Sequence, residues 1–212
     1  LLMDEPLASL DAERKLEILP LIEQLRDEFH IPIVYVSHAI EEVARLASRV
    51  VVLDEGKVIA AGAVEEVLGA ATAATSESRF DLSSVITARI SGTDDAYGLT
   101  RLDHPAGKIW LVGRAGATGG EVRLVIRATD VTLATSDAEH LSIRTALAGR
   151  VAEIAMTDGA LALVTIDLDG HGRLAALATR KAIDDLHIKT GDRIFALIKT
   201  VALDERTVAE VG

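Results

Sequence analysis

The sequence contains no cysteine, few aromatic residues and no long apolar run. The lack of cysteine excludes disulfide bonds and thiolate metal sites. Aromatic residues make up only 3% of the 212 residues, so any core must be built from aliphatic side chains. No uncharged apolar segment approaches the roughly 18–20 residues that a membrane-spanning helix requires. We therefore expect a globular chain without a membrane-spanning helix.

Basic residues are also scarce. The 22 Lys and Arg residues face 33 Asp and Glu residues, which gives a net charge of -11. A nucleic-acid groove needs an excess of positive charge to displace counterions, so nucleic acid is not expected as a partner. Residues 1–75 contain 6 basic and 14 acidic residues, whereas residues 76–212 contain 16 and 19. This change in composition predicts a domain boundary near residue 75.

Residues 1–68 alternate between apolar runs and helical spacing, which is an α/β pattern. Helices are predicted over residues 12–29, where Asp11 is a suitable N-cap, and over residues 39–47. The continuous apolar run 31–36 is typical of a parallel strand covered on both faces. A hairpin around Gly56 and a short helix over 65–68 follow, and the small polar residues 69–79 predict a linker.

Beyond the linker, short alternating strands are separated by Gly and Asp turns, and one further helix is predicted near residues 180–187. This region contains an internal repeat, because the segment around Arg89 resembles that around Arg150 and the segment around Arg127 resembles that around Lys199. Two related small β-barrels of the OB type explain the repeat. The predicted domains are 1–75, 76–140 and 141–212.

Chemistry is concentrated near the start of the chain. The apolar run Leu1–Met3 leads into Asp4 and Glu5, an arrangement that P-loop ATPases use to hold Mg²⁺ and to orient the attacking water. His38 follows the next predicted strand, 33 residues after Glu5. One β-α-β crossover brings both strand ends to the same edge of a sheet, where His38 could donate a hydrogen bond to a γ-phosphate. An acidic pair or a lone histidine is common by itself. The order found here, in which an apolar strand ends in an acidic pair and the next strand ends at a histidine, is uncommon.

With these motifs the chain resembles the ATP-binding subunits of ABC transporters over residues 1–68. The resemblance assigns Asp4 to the Walker B metal position, Glu5 to the catalytic glutamate and His38 to the switch histidine. It places Ser9 and Asp11 in the D-loop, which contacts the opposing subunit. The sequence contains neither G-x-x-x-x-G-K-[ST] nor an LSGGQ-type signature. We therefore expect a fragment that does not bind or hydrolyse ATP alone.

The β-rich region resembles the C-terminal barrels of the molybdate-importer subfamily, through residues 17–20, 122–133 and 141–145. Molybdate is a tetrahedral dianion, so its site needs hydroxyl and backbone donors and one or two cations. By this resemblance the oxyanion ligands are Ser142, Arg144, Thr179 and Lys199. Ala182 replaces a second hydroxyl of the family pattern. In the family such sites lie between two chains, so one chain presents half of a site.

The resemblance implies the ATP-hydrolysing subunit of an importer that drives molybdate uptake with ATP and Mg²⁺. It implies a homodimer on the cytoplasmic face of the cell membrane, an integral-membrane permease and, indirectly, a substrate-binding protein. Two alternatives remain. The importer could carry sulfate, a polyamine or a sugar, or the chain could be a non-enzymatic oxyanion-binding or regulatory barrel protein. A third interpretation, a pure assembly module, predicts dimerisation without a ligand.

Overall fold

The computed structural model describes residues 1–70, 82–136, 140–156, 159–203 and 208–210. Most of the predicted linker, and with it the predicted boundary at residue 75, lies outside the described residues. Within the described residues, no helix combines the length and apolarity that crossing a membrane requires.

The first region has the predicted α/β order. Strands β1 (Leu2–Asp4) and β2 (Val34–Val36) pair in parallel, with Asp4 opposite Val36. Helix α1 (Ala12–Phe29) connects them; it begins at Asp11, whose carboxylate accepts a hydrogen bond from the backbone N–H of Arg14 at 2.9 Å. The helix continues through Pro20 and ends at His30, which has the left-handed conformation common at helix C-termini. A small core of Leu7, Leu19, Ile22 and Leu46 packs beneath this sheet.

Helix α2 (Ile40–Leu46) follows β2, and the hairpin of β3 (Arg49–Asp54) and β4 (Lys57–Ala63) follows α2. The central turn residues Glu55 and Gly56 both have positive φ, as a tight two-residue hairpin turn requires. Helix α3 (Val64–Ala70) completes the region. The predicted strand, helix and hairpin order is therefore confirmed.

The second region consists of two five-stranded antiparallel sheets, which confirms the expected all-β region of tandem small barrels. The first sheet has the order β14-β8-β5-β6-β7 and the second has the order β12-β11-β10-β13-β9. Each sheet contains one strand that is not consecutive in sequence with its others. Strand β9 joins the second sheet and β14 joins the first. The strands are β5 (Ser83–Asp94), β6 (Leu99–His104), β7 (Gly107–Val112), β8 (Glu121–Arg127), β9 (Val131–Ala134), β10 (Thr145–Met156), β11 (Leu161–Asp167), β12 (Arg173–Thr179), β13 (Arg193–Ile198) and β14 (Val208–Glu210), and helix α4 (Arg180–Asp185) follows β12.

The internal repeat is visible in matching contacts. Arg89 on β5 donates a side-chain hydrogen bond to the carbonyl oxygen of Gly119 at 3.1 Å, and Arg150 on β10 donates one to Gly191 at 3.4 Å. Both long strands carry an irregularity of register just after these arginines. Such bulges bend a strand and help a sheet to curl. The two sheets share one continuous aliphatic core, as the scarcity of aromatic residues requires.

Helix α2 also contacts the first barrel sheet. Arg123 of β8 donates hydrogen bonds to the carbonyl oxygen of Ala47 at 2.9 Å and to the carboxylate of Glu65 at 2.6 Å. Burial alone would raise the pKa of Glu65, but hydrogen bonds from its backbone and from Arg123 outweigh this effect and lower the pKa. Ala44, Val64, Leu68, Val85 and Val125 form an apolar cluster beside this ion pair. The α/β region is thus joined to the barrels through β5 and β8.

Candidate functional site

Glu5 and His38 meet at the carboxyl edge of the two parallel strands. The Nδ1 atom of His38 lies 2.8 Å from Oε1 of Glu5. The backbone N–H of Glu5 donates to the carbonyl oxygen of Val36 at 2.9 Å, and Glu5 has a φ of 45°. A non-glycine residue in this left-handed conformation is uncommon and is often found at functional sites. The predicted convergence of these two side chains is what the fold produces.

This contact has a direct consequence for the proton on His38. A carboxylate can only accept, so Nδ1 of His38 carries the proton that is shared with Glu5. In the neutral imidazole Nε2 is then an acceptor, and Nε2 can donate only when the ring is protonated. The His38 side chain is 82% exposed, which leaves Nε2 accessible to a ligand.

Asp4 is exposed at the end of β1, one residue before Glu5. Within the part of the chain that the structure describes, no three His, Cys, Asp or Glu residues form a group that could hold a metal ion. Mg²⁺ is usually bound by one or two carboxylates together with substrate phosphates and water. The exposed carboxylate of Asp4 is a ligand of this type, and its role as a magnesium ligand stays a prediction.

The two residues assigned to a D-loop by resemblance lie between β1 and α1. Ser9 is exposed in the turn that follows Glu5, and Asp11 is exposed at the start of α1. The carboxylate of Asp11 is already used as the helix N-cap, and it also lies 3.8 Å from Nε of Arg14. These contacts indicate a local structural role for Asp11, whereas the side chain of Ser9 is exposed at the surface.

Glu42 was not predicted from the sequence as a site residue, although it is the most deeply buried carboxylate described near this edge. Glu42 is 3% exposed and accepts hydrogen bonds from Lys15 at 2.7 Å, Ser37 at 2.8 Å and Tyr35 at 2.9 Å. Burial would raise the pKa of Glu42, but these three donors outweigh it and lower the pKa. The pKa of Tyr35 is raised by burial and by the neighbouring Glu42 carboxylate. The one signal in the sequence was the position of Glu42, four residues after His38.

Three of the four predicted oxyanion ligands lie at one end of the β10–β13 pair. Thr145 of β10 is paired with Ile198 of β13, so the preceding Arg144 and the following Lys199 leave the two strands side by side. Ser142 lies in the loop just before them, and all three residues are exposed. This end of the sheet thus presents two cations and a hydroxyl to solvent.

Thr179 lies elsewhere in the same sheet. It ends β12 opposite Leu161, at the end of the sheet where β10 finishes with Met156 rather than where it begins with Thr145. Its hydroxyl accepts a hydrogen bond from the backbone N–H of Ala182 and caps helix α4. A single chain therefore does not bring Thr179 to Lys199.

The second carboxylate of an acidic pair contacts a histidine at the edge of two parallel strands, ahead of two small β-barrels. This arrangement is expected of ATP-binding subunits of ABC transporters. Residues 141–204 match the TOBE domain family. The chain is 45% identical over 204 residues to the molybdenum import ATP-binding protein ModC of Mesorhizobium japonicum, which covers 96% of this chain and 55% of that protein. It is 41% identical over 210 residues to ModC of Brucella abortus, covering 99% of this chain and 57% of the relative.

The resemblance to the ATP-binding subunits of molybdate importers is thereby confirmed, and the chain spans about half the length of the curated relatives that it matches. A solved structure of the cytoplasmic molybdate-binding protein ModG, with molybdate bound, is 26% identical and covers 60% of this chain and 94% of that chain. Its TM-score is 0.49.

Proposed function

We propose that this chain supplies the hydrolytic edge of an ATP-hydrolysing importer subunit. The observation that carries the proposal is the 2.8 Å contact between Glu5 and His38 at the end of two parallel strands. The relatives that match 96–99% of the chain are ATP-binding proteins of molybdenum import by name. The chain has no phosphate cradle of the P-loop type, so hydrolysis requires elements that this sequence does not contain.

In this proposal each residue has a separate task. Asp4 would hold Mg²⁺, which neutralises charge on the phosphates when it is bound. Glu5 would orient and deprotonate the attacking water, and its hydrogen bond to His38 fixes the direction of its carboxylate. His38 would donate from Nε2 to the γ-phosphate as the protonated imidazole. Ser9 and Asp11 would lie against the opposing subunit.

The proposed substrate is molybdate, and the proposed setting is the cytoplasmic face of the cell membrane. There the subunit would act as a homodimer beneath an integral-membrane permease, to which a separate binding protein delivers the anion. The names of the relatives and the TOBE match support this assignment. Sulfate, polyamine or sugar import is the alternative within the same class.

Uptake of radioactive molybdate in cells whose genomic copy carries Glu5→Gln tests the proposal. We expect initial uptake to fall about 100-fold or more, the usual scale for loss of a catalytic base. Asp95→Asn is the matched control, because Asp95 is an exposed carboxylate on the barrel surface, where it pairs with Arg114. Unchanged uptake in Glu5→Gln would refute the hydrolytic role.

A second candidate function is oxyanion binding by the barrels, which the adjacent cations Arg144 and Lys199 favour. Calorimetric titration of the chain with molybdate, and with sulfate as the control anion, measures it. Binding of molybdate that sulfate does not match and that Lys199→Ala weakens would support this site. No binding by a folded dimer would leave the barrels with an assembly role.

A further inference from the structure

The buried carboxylate of Glu42 joins three elements that the hydrolytic edge depends on. Tyr35 belongs to strand β2, Ser37 belongs to the loop that carries His38, and Lys15 belongs to helix α1. The donors approach both carboxylate oxygens, with Lys15 on Oε1 and the two hydroxyls on Oε2. A buried carboxylate is stable only when such donors replace its hydration, and here they do.

The bond to Ser37 reaches the backbone on both sides of His38. The hydroxyl of Ser37 donates to Glu42 and accepts from the backbone N–H of Ala39 at 3.1 Å. Residues 37 and 39 are thus tied together across His38. This link holds the backbone of the loop, whereas the imidazole itself is 82% exposed.

The bond to Lys15 reaches the other end of the site. Lys15 lies in the first turns of α1, the helix that begins at Asp11 directly after the D-loop residues. Its Nζ atom and the Glu42 carboxylate are both well covered, with side chains 27% and 5% exposed. Glu42 therefore connects the segment after Glu5 with the segment that carries His38.

We propose that Glu42 is a positioning residue for His38, which holds the loop of residues 37–39 so that Nδ1 of His38 faces Glu5. The catalytic meaning of this role rests on the proposed function, but the positioning itself does not. Glu42 touches no reacting atom, and it acts through Ser37.

A second ion pair also joins α1 to α2, at a distance from Glu42 along both helices. Arg45 of α2 donates two hydrogen bonds to Glu23 of α1, at 2.6 and 3.0 Å, with both side chains about one-fifth exposed. Among the described residues, the hydrogen bonds of the Glu23 carboxylate go to Arg45 and not to the loop of His38. Glu23→Gln is therefore a matched control that weakens the same helix pair without touching the link to His38.

The test measures which nitrogen of His38 carries the proton. Histidine ¹⁵N spectra of the labelled chain at pH 8 report the tautomer, and the His38→Gln spectrum assigns the signal. We expect the Nδ1–H form in the unaltered chain, because Glu5 accepts from Nδ1. Glu42→Gln and Ser37→Ala should lose that signature and show the Nε2–H form, whereas Glu23→Gln should keep the Nδ1–H form.

Retention of the Nδ1–H form in folded Glu42→Gln would overturn the proposal, as would an equal loss in Glu23→Gln. Circular dichroism establishes folding for each variant. If Glu42→Gln does not fold, Ser37→Ala decides, because it cuts the link to the loop and leaves Glu42 with Lys15 and Tyr35. The measurement uses no ATP, so its outcome is separate from the outcome of the uptake assay.

Discussion

The hydroxyl of Ser84 accepts a hydrogen bond from the backbone N–H of Ala175 at 2.8 Å, across the junction of the two barrels and 91 residues along the chain. The same contact occurs in the opposite sense, because the hydroxyl of Thr145 accepts from the backbone N–H of Trp110 at 3.0 Å. Ser84 and Thr145 are both fully buried and occupy equivalent positions in β5 and β10. The two barrels are thus joined by a reciprocal, pseudo-twofold pair of contacts.

Thr145→Val tests the energetic importance of this junction. Valine keeps the shape of the side chain but removes the acceptor, so the backbone N–H of Trp110 is left without its partner. Such a buried unsatisfied donor costs about 1–3 kcal/mol. We expect urea unfolding to show this loss, whereas Thr132→Val on the exposed face of β9 should stay within about 0.5 kcal/mol. Equal effects of the two variants would contradict the role of the junction.

Much of the barrel region could be predicted from turn residues and alternation, because those signals are local. Strands β9 and β14 were not predicted from the sequence. Strand β9 follows the strands of the first sheet but pairs in the second sheet, and β14 follows the strands of the second sheet but pairs in the first. Strand β14 has only three residues, and its pairing with Leu124 of β8 is a long-range contact that local pattern cannot report. The proposed domain division at residues 75 and 140 remains a prediction. Strand β9 lies before residue 140 but pairs in the second sheet, and β14 lies after it but pairs in the first.

The candidate site shows the same limit. Glu5 and His38 could be placed together in advance, because the ends of neighbouring parallel strands always share one edge of a sheet. Glu42 could not be recognised, since a Glu on a helix of mixed polarity is usually a solvated surface residue. Only the packing of α1 against α2 buries Glu42 and brings Lys15 to it.

Gly149→Ala should destabilise the second sheet because of a steric clash. A Cβ atom at residue 149 would lie 2.6 Å from the carbonyl oxygen of Asp167 and 2.7 Å from Cγ2 of Ile166. Backbone atoms in a paired strand cannot move away at little cost, so we expect a loss of about 3 kcal/mol in the free energy of unfolding. Gly92→Ala is the control on the equivalent strand β5, where the nearest atom would be Nη2 of Arg101 at 3.7 Å. That variant should be neutral or slightly stabilised, and thermal unfolding of both distinguishes the two cases.

Arg123→Met should cost more stability than removal of an exposed ion pair, because the pair of Arg123 and Glu65 is largely covered. Arg123 is 12% exposed and its partner Glu65 is 32% exposed, so removing the guanidinium takes the cation away from a partly covered carboxylate and one donor away from the carbonyl oxygen of Ala47. We expect a loss of about 2–3 kcal/mol, somewhat below the range for fully buried pairs. Limited proteolysis should also release the α/β region sooner. The pair of Arg114 and Asp95 is 82% and 76% exposed, and Arg114→Met should cost about 0–1 kcal/mol. Similar losses for both variants would show that burial does not distinguish them.

His104 makes the barrel junction sensitive to acid. The imidazole is 7% exposed; its Nδ1 accepts from the backbone N–H of Ala106 at 3.0 Å, and its Nε2–H donates to the carbonyl oxygen of His171 at 3.1 Å. Protonation of Nδ1 would break the first bond, and burial together with the nearby His171 ring lowers the pKa of His104 below its ordinary value of 6.5. Because the unfolded chain then binds a proton more readily than the folded chain, the contribution of His104 to stability is complete above about pH 6.5 and is lost as the pH falls from there toward the folded pKa.

Urea unfolding between pH 5 and 7.5 measures this effect against His104→Gln. Glutamine keeps a donor for the carbonyl of His171 but does not titrate, so the other acidic groups and the other histidines cancel in the comparison. We expect the unaltered chain to lose stability more steeply below pH 6.5 than the variant, with a difference in slope of at most about 1.4 kcal/mol per pH unit for one proton. Parallel pH profiles would mean that His104 has the same pKa in the folded and the unfolded chain, and that the junction between the barrels does not respond to acid through this residue.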